Sequence, residues 1–380
     1  MLIEIARRLR VAVRTEDTVA RHGGDEFIVV AEDVADADNA ASLARTIITS
    51  LSQPVVISGR EVAVGASVGI ALYPDDAATT ENLCKAADSA MYRAKVSGRG
   101  TFAFYTANIT EQIHEHVVLD SALRRALERD ELRLLFQPVI AAGGRTLVGA
   151  EALLRWQHPQ RGLLGPDLFI PIAEHSSLIN EIGAWVIDRA CAQQRDWIDQ
   201  GIAPVRLAIN VSGRQILHDH LVESVDAAFH RHRLVGVPGC VELELTESVL
   251  QRADASVKVL QELKALGVGI TIDDFGTGYS SLSLIKHLPI DAIKIDRMFV
   301  RHLPDDANSR AIVSAVISMS HALGLRVVAE GVETVEQLGF LTEAGCDELQ
   351  GFLLGQPCAA DAMTALLAAR VGQAAASSVK

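Results

Sequence analysis

The sequence has few of the residues on which several classes of site depend. Its five cysteines are odd in number and form no C-x-x-C pair, which argues against disulfides and a zinc site and predicts reduced thiols in the cytoplasm. No apolar run approaches the roughly 18 residues of a membrane span. Acidic residues outnumber basic ones by 48 to 35, and the formal net charge is −13. Long nucleic acids bind to basic patches, so we expect no such partner.

The apolar residues that are present indicate two regions. Nearly half of the 380 residues are hydrophobic but only 4% are aromatic, which is typical of aliphatic strands buried on both faces. Residues 1–107 predict a small α/β domain, with an amphipathic helix at "MLIEIARRLRVAV", a hairpin around "GGD" and two further helices. Residues 108–120 carry apolar side chains at helical spacing with few turn signals, which predicts a helical linker.

Residues 121–370 show a different pattern, in which apolar runs typical of strands are mostly separated by helical segments. The runs are "LRLLFQPVI", "LVGAEALLRW", "VRLAINVS", "VELELTES", "VGITIDDFG", "DAIKIDRMF", "LRVVAEGVE" and "CDELQGFLL". About eight strands in this order predict a TIM-like (β/α)8 barrel of the α/β class. A doubly wound open sheet is the alternative, and it would bind its ligand at a switch point. We expect residues 371–380 to form a frayed tail.

Two adjacent aspartates, Asp273 and Asp274, follow the apolar run "GITI" and precede the glycine-rich segment "FGTGYSS". Successive side chains of a regular strand point to opposite faces, so both carboxylates can serve one site only if the strand ends at the pair. Since the following residues have the composition of a loop, we predict that it ends there. An isolated pair of this kind is more often a turn or helix-cap signal, and its surroundings decide between the two interpretations.

The predicted strand ends carry a recurrent set of polar side chains. They are Glu151, Asn210, Glu244, the pair Asp273 and Asp274, Lys294, Glu330 and Gln350. Each of these residues alone can be explained structurally, as a cap, an edge charge or a surface residue. Active sites of (β/α)8 barrels, however, lie at the carboxyl-terminal ends of the strands, so we expect the set to form a site. Carboxylate and amide oxygens suit Mg²⁺ or Mn²⁺, and several acids around one mouth imply two ions. Two such ions can drive an in-line phosphoryl displacement by water, with Lys294 orienting that water or offsetting charge.

These motifs resemble those of the EAL-domain phosphodiesterases, which hydrolyse cyclic diguanylate (cyclic di-GMP) to the linear dinucleotide pGpG. The matching stretches are "EALLRW", "NVS", "ELTES", "TIDDFGTGYSSL", "IKID", "AEGVE" and "LQGFLLGQP". The resemblance implies that one metal ion is held by Glu151, Asn210, Glu244 and Asp273, and that Asp273 and Asp274 serve the second.

Further roles follow from the same resemblance. It implies that Lys294 and Glu330 act on the catalytic water, Gln350 supports the site and Glu247 steadies the loop after Asp274. Substrate contacts are expected from Gln137, Arg155 and Asp296, the last sharing a strand face with Lys294. One departure is Gln356, which stands before Pro357 where the family often has a basic residue; it bears on guanine or phosphate contacts there.

The first region resembles the GGDEF diguanylate cyclases through "RHGGDEF", "SVGIALYP" and "ADSAMYRAKVSGRG". The resemblance implies an RxxD inhibitory site at Arg14 and Asp17, and a cyclase site with Asp25, Glu26, Lys95 and Arg99. Met1 falls where that family is already partway through its fold, so its opening strand and metal-binding aspartate are not found. We therefore expect a regulatory or vestigial unit and not a competent cyclase, although an upstream start would explain the loss equally well.

The sequence thus predicts a metal-dependent phosphodiesterase that acts on cyclic di-GMP. One alternative is a receptor that binds the dinucleotide without hydrolysing it, and another is a bifunctional cyclase and phosphodiesterase if the natural chain is longer. We also expect a homodimer formed through the EAL domain.

Overall fold

The structure, a computed structural model, describes the chain apart from residues 35, 58–59, 63, 107–108, 144–145, 177, 217–219, 238, 248–252, 277–284 and 378–380. It divides into two compact units, Met1–Ala122 and Leu123–Lys380. None of the described helices is both long and apolar enough to cross a membrane. The five cysteines are all free thiols.

In the part of the first unit that the structure describes, the strands form three short pairs, with helices between them. Its helices are α1 (Leu2–Ala12), α2 (Ala37–Ser52) and α3 (Thr80–Val96), and α4 (Ile109–Ala126) follows them. The strands are β1 (Thr18–Gly23), β2 (Glu26–Val30), β3 (Val55–Ile57), β4 (Arg60–Val62), β5 (Val68–Ile70) and β6 (Phe102–Phe104). The pairs β1–β2 and β3–β4 are antiparallel and β5–β6 is parallel. The predicted hairpin is β1–β2, and residues 109–120 of the predicted linker lie within α4.

Helix α3 packs closely on β5 because the strand carries a glycine at the point of contact. A Cβ atom built on Gly69 would lie 2.0 Å from the Ala87 carbonyl oxygen and 2.2 Å from the Met91 backbone nitrogen. Thr79 caps the N-terminus of α3, because its side chain accepts a hydrogen bond from the Asn82 backbone N–H. The "SVGIA" segment therefore fixes how near α3 can approach the strand.

The second unit is a barrel whose strands come from the predicted apolar runs. They are β7 (Leu132–Ala141), β8 (Leu147–His158), β9 (Gly162–Leu164), β10 (Arg206–Val211), β11 (Val241–Thr246), β12 (Gly269–Phe275), β13 (Ala292–Ile295), β14 (Arg326–Ala329) and β15 (Glu348–Leu349). Among the described residues, β7, β8 and β10 to β15 form one closed ring of eight strands, because β10 pairs with β8 as well as β11. Strand β9 adds to the outer edge of β8. The barrel prediction is confirmed, and the alternative of an open sheet is excluded by this closure.

Helices cover the outside of the barrel. They are α5 (Pro166–His175), α6 (Leu178–Asp199), α7 (Gly213–Ile216), α8 (His220–Arg231), α9 (Ala253–Ala265), α10 (Arg297–Val300), α11 (Ala307–Ala322), α12 (Val335–Glu343) and α13 (Ala360–Ser377). Side chains on the inner face of α6 are buried, among them Ile182, Val186 and Trp197. This apolar packing holds the strand ends in fixed relative positions.

One strand departs from the expected alternation of strand and helix. β7 and β8 are joined by the short segment 142–146, and β7 runs antiparallel to both β8 and β15. A parallel connection requires a crossover of about a dozen residues, which this segment cannot provide. The remaining neighbouring pairs of the ring are parallel, so the carboxyl ends of β8 and β10 to β15 open at one mouth.

An ionic network that the sequence analysis did not anticipate closes the opposite end of the barrel. Arg326 pairs with Glu242 at 2.5 Å and with Glu348 at 2.8 Å, and Arg206 also contacts Glu348. Each of these four residues lies two or four positions before a predicted site residue that is on the same strand or directly follows it, so strand alternation places both sets on one face. We call Arg206, Glu242, Arg326 and Glu348 the basal ionic network.

Candidate active site

Four carboxylates surround one buried lysine at the carboxyl-terminal mouth of the barrel. The Lys294 Nζ atom lies 2.9 Å from Glu244 Oε2, 3.5 Å from Glu151 Oε2 and 3.7 Å from Asp273 Oδ1, and it also contacts Glu330. The lysine side chain is only 1% exposed. Strands β8, β11, β12, β13 and the end of β14 each supply one of these groups, so only closure of the barrel brings them together.

Glu151 is held in place by two amide side chains. Asn210 donates from Nδ2 to Glu151 Oε1 at 2.5 Å, and Gln350 donates from Nε2 to Glu151 Oε2 at 2.6 Å. Gln350 also donates to Gln137 Oε1 at 3.1 Å, and Gln137 donates to the Gly355 carbonyl at 3.0 Å. Gln137, predicted to contact the substrate, is buried, and both ends of its amide are hydrogen-bonded within the protein.

The prediction that the strand ends at the aspartate pair is wrong, and a backbone distortion takes the place of that ending. Strand β12 continues to Phe275, which pairs with Ile295 on β13. Between them Asp274 has a φ of 55°, in the left-handed region, and the register of β12 shifts. Such a bulge turns the second side chain toward the face of the first. Asp273 also accepts a hydrogen bond from the Asp274 backbone N–H at 2.9 Å.

The electrostatics of the cluster follow from burial of several acids around one cation. Burial and the neighbouring Glu151 raise the pKa of Glu244 well above its usual range. Burial also raises the pKa of Glu330 to about 8, against the opposing charge of Lys294. For Glu151, burial acts in the same direction, but the lysine charge and the amide donors outweigh it and lower the pKa. Desolvation opposes protonation of Lys294, yet the four carboxylates hold its pKa well above its ordinary value.

The arrangement fits a divalent metal ion. Asp273, Asp274 and Glu330 each bring a carboxylate oxygen to within 4.8 Å of the others. Burial and the adjacent Asp273 raise the pKa of Asp274 to about 6, with a further contribution from Asp296. One lysine does not balance this many acids, and oxygen donors are the ligands that Mg²⁺ and Mn²⁺ prefer. The residues present therefore suit the metal ions that the sequence suggests.

The remaining predicted residues lie around this cluster. Glu247 accepts a hydrogen bond from the Gly276 backbone N–H at 2.8 Å, two residues after Asp274. Asp296 caps α10 by accepting from the Met298 backbone N–H at 2.6 Å, and it contacts Asp274. Arg155 is half-buried on β8, and burial lowers its pKa although the nearby Glu151 acts in the opposite direction. We expect the segment "FGTGYSS" (residues 275–281) to be a flexible loop that couples the site to substrate or dimer, and its residues 277–281 lie outside the described residues.

In the first unit the predicted residues occupy three separate elements. Asp17 accepts hydrogen bonds from the backbone N–H groups of Arg14 and Glu32, at 2.8 Å and 3.2 Å, so its carboxylate fastens the entry to the β1–β2 hairpin. Of the cyclase-like residues, Asp25 and Glu26 are exposed at the hairpin tip, Lys95 is in the last turn of α3, and Arg99 follows it with a φ of 58°.

Sequence reasoning missed a contact beside the site, between Glu174 and Ser212. The Ser212 hydroxyl donates to Glu174 Oε1 at 2.5 Å, which joins the end of α5 to the turn after β10. The two residues are 38 positions apart in the sequence, and no local signal predicts their contact. For the basal ionic network a signal exists, because Glu242 and Glu244 alternate within "VELEL" and must share a face.

Family models match both units of the chain. The model of the EAL domain matches residues 120–357, and the model of the diguanylate cyclase GGDEF domain matches residues 1–101. The first of these covers the barrel and every residue of the acidic cluster.

Named relatives align with nearly the whole of this chain. The bifunctional diguanylate cyclase/cyclic di-GMP phosphodiesterase MucR of Pseudomonas aeruginosa is 49% identical over 369 residues, which are 97% of this chain and 53% of that protein. The cyclic di-GMP phosphodiesterase PdeR of Escherichia coli is 39% identical over 358 residues, with 94% of this chain and 53% of that protein covered. The chain thus spans about half the length of these curated relatives.

A solved structure agrees with the barrel. The PaMucR phosphodiesterase in complex with c-di-GMP is 51% identical and has a TM-score of 0.63, covering 65% of this chain and 99% of that one. The EAL enzyme Bd1971, solved with cAMP and cyclic di-GMP bound, is 34% identical with a TM-score of 0.64, covering 67% of this chain and 70% of that one.

Proposed function

The chain belongs to the EAL domain family, and we propose that its barrel is a metal-dependent phosphodiesterase that hydrolyses cyclic di-GMP to the linear dinucleotide pGpG. The observation that carries this proposal is the convergence of four carboxylates on Lys294 at the mouth of the barrel. The names of MucR and PdeR and the c-di-GMP complex of PaMucR support the choice of substrate.

We assign the metal ligands from this geometry together with the family pattern. Glu151, Asn210, Glu244 and Asp273 would hold one ion, and Asp273 with Asp274 would serve the second. Asn210 donates to Glu151 through its nitrogen, so its oxygen can face a cation while the hydrogen bond is kept. When bound, Mg²⁺ or Mn²⁺ supplies Lewis-acid activation of water and stabilises a leaving oxygen.

The protein side chains supply position and charge. Lys294 is a fixed buried cation against which negative charge on the transferred phosphoryl group can be balanced. Glu330 contacts Lys294 from the neighbouring strand end and would hold the attacking water by hydrogen bonding. Gln350 fixes the orientation of Glu151. Arg155 and Asp296, at the rim, would contact the substrate, and Gln137 would act through Gln350.

The activity test uses purified full chain with cyclic di-GMP and either Mg²⁺ or Mn²⁺. We expect linear pGpG from the parent, loss of product with EDTA, and loss of product in Glu151→Ala. The matched control is Glu181→Ala, because Glu181 is an exposed glutamate in the first turn of α6. Tight binding of the dinucleotide by the parent without turnover would favour a receptor and refute the enzyme.

For the first unit we propose a regulatory role. Incubation of the same preparation with GTP should yield no cyclic di-GMP, and synthesis would show a bifunctional protein. We further propose a homodimer, to be tested by light scattering coupled to size exclusion. We also propose a cytoplasmic location, which the five free thiols support.

A further inference from the structure

Asn210, proposed above as a metal ligand, lies near the end of β10 and donates a hydrogen bond to Glu151. Asn210 is exposed, and it follows three buried residues of β10. An exposed side chain of this kind has several accessible rotamers, so its orientation depends on the backbone turn that follows. That turn, together with the hydrogen bond to Glu151, therefore keeps Asn210 at the site.

Two anchors fix the turn after β10. On one side, Gln215 accepts a hydrogen bond from the Ser212 backbone N–H at 2.9 Å and packs on α6. The packing is close, since a Cβ on Gly183 would lie 1.8 Å from Gln215 Nε2. On the other side, the Ser212 hydroxyl donates to Glu174 Oε1 at 2.5 Å, and Arg214 donates to the Glu174 carbonyl oxygen.

Glu174 connects the same two strands whose side chains meet at the site. It lies in α5, the helix that follows β8 and β9, and β8 carries Glu151. Ser212 follows β10, which carries Asn210. The Asn210–Glu151 contact is thus backed by a second hydrogen bond between the segments that leave these strands. Hydrogen bonds to a carboxylate are short and strong, so this one restrains the turn more than a neutral pair would.

We propose that Glu174 is a positioning residue for the metal site, which acts through Ser212 to hold Asn210 toward the acidic cluster. This inference rests on the proposed function. Residues that support metal ligands without contacting the metal typically change affinity by about 10- to 100-fold when removed. Because Asn210 would be one ligand among several, we expect the lower end of that range.

The test is titration of the purified full chain with Mn²⁺ alone, followed by calorimetry, for the parent and a set of variants. Glu174→Ala and Ser212→Ala should each weaken Mn²⁺ binding by about tenfold. The double variant should bind Mn²⁺ no more weakly than either single variant, since both substitutions remove the same hydrogen bond. Glu174→Gln keeps an acceptor for the hydroxyl and should remain within about threefold of the parent. The exposed control Glu181→Ala should match the parent.

Thermal unfolding in EDTA separates positioning from loss of the fold. Ser212→Ala removes only a hydroxyl, so it should keep the parental melting temperature even if Glu174→Ala does not. Hydrolysis by Glu174→Ala and Ser212→Ala should return toward the parental kcat at saturating Mn²⁺, which a general structural defect would not allow.

The outcomes distinguish this inference from the proposed function. Parental Mn²⁺ affinity in both Glu174→Ala and Ser212→Ala, or additive effects in the double variant, overturns the positioning role while hydrolysis by the parent leaves the function intact. If the parent binds Mn²⁺ but hydrolyses nothing, the function fails and the titration still decides the inference. If the parent binds no Mn²⁺, both fail.

Discussion

Replacement of Arg326 by methionine tests whether the basal ionic network stabilises the barrel. Arg326 contacts two buried carboxylates, Glu242 and Glu348, whose side chains are 6% and 8% exposed. In Arg326→Met, Glu348 keeps Arg206 as a partner, but the described part of the chain offers Glu242 no other ion pair. Removing one partner of a buried pair costs about 3–5 kcal/mol, because a charge is left without compensation.

The lower end of that range applies here, because the Arg326 side chain is 20% exposed and water can reach it. A loss of about 3 kcal/mol corresponds to a decrease of about 6–12 °C in the melting temperature of a unit this large. Urea or thermal unfolding followed by tryptophan fluorescence measures it selectively, since Trp156, Trp185 and Trp197 all lie in the barrel unit.

Two further variants make the test specific. Glu242→Gln in the Arg326→Met background removes the uncompensated charge, so it should restore at least half of the lost stability. Lys258→Met breaks an exposed pair with Glu262 on α9 and should leave the unfolding midpoint unchanged. A loss below about 1 kcal/mol in Arg326→Met, or no recovery in the double variant, would refute the reasoning.

Four other predictions concern the site and the packing. Asp273→Asn should lower kcat by about a hundredfold or more, equivalent to about 3 kcal/mol of transition-state stabilisation, with the far-ultraviolet circular dichroism unchanged; a loss below tenfold would contradict its role as a shared ligand. In Gly331→Ala the new Cβ would lie 2.6 Å from the Arg297 Cβ, at a residue whose φ of 70° already disfavours a side chain. Because Gly331 follows Glu330, the backbone shift should displace Glu330 and lower kcat about tenfold or more, and unchanged kinetics would show that Glu330 tolerates the shift. Gly69→Ala should destabilise the first unit by about 3 kcal/mol, so that a protease cleaves this unit faster than in the parent. The unfolding midpoint of the barrel in this variant, followed by tryptophan fluorescence, should be the same as in the parent. Gly339→Ala, a control inside α12 with no atom within 4 Å of the new Cβ, should raise the barrel midpoint, and a lower midpoint would count against these packing arguments.

Asp273 and Asp274 illustrate where sequence reasoning succeeded and where it failed. Their place at the mouth of a barrel follows from the apolar run before them and from the order of the other strand ends. The means by which they share a site did not follow, because a left-handed φ at an aspartate has no reliable local signature. The composition of "FGTGYSS" predicts that the loop begins at Phe275. The strand instead includes Phe275, because this residue pairs with Ile295 on β13.

The antiparallel β7 shows a similar division. The short "AGGRT" segment (residues 142–146) already excludes a parallel connection to β8, so its length alone predicts a hairpin. The Glu174–Ser212 contact differs, because no spacing rule links a helix end to a turn 38 residues later.

The sequence by itself determined the two regions, the strands and the type of chemistry, since apolar periodicity and residue type are local properties of the chain. Only the tertiary structure decided that Glu151, Glu244, Asp273 and Glu330 share one lysine, that Asp274 turns toward them, and that a second set of charges closes the far end. The physical reason is closure of the barrel, which brings strand ends far apart in sequence to a few ångströms and sets their burial. Burial then determines how strongly the charges interact and how far their pKa values shift.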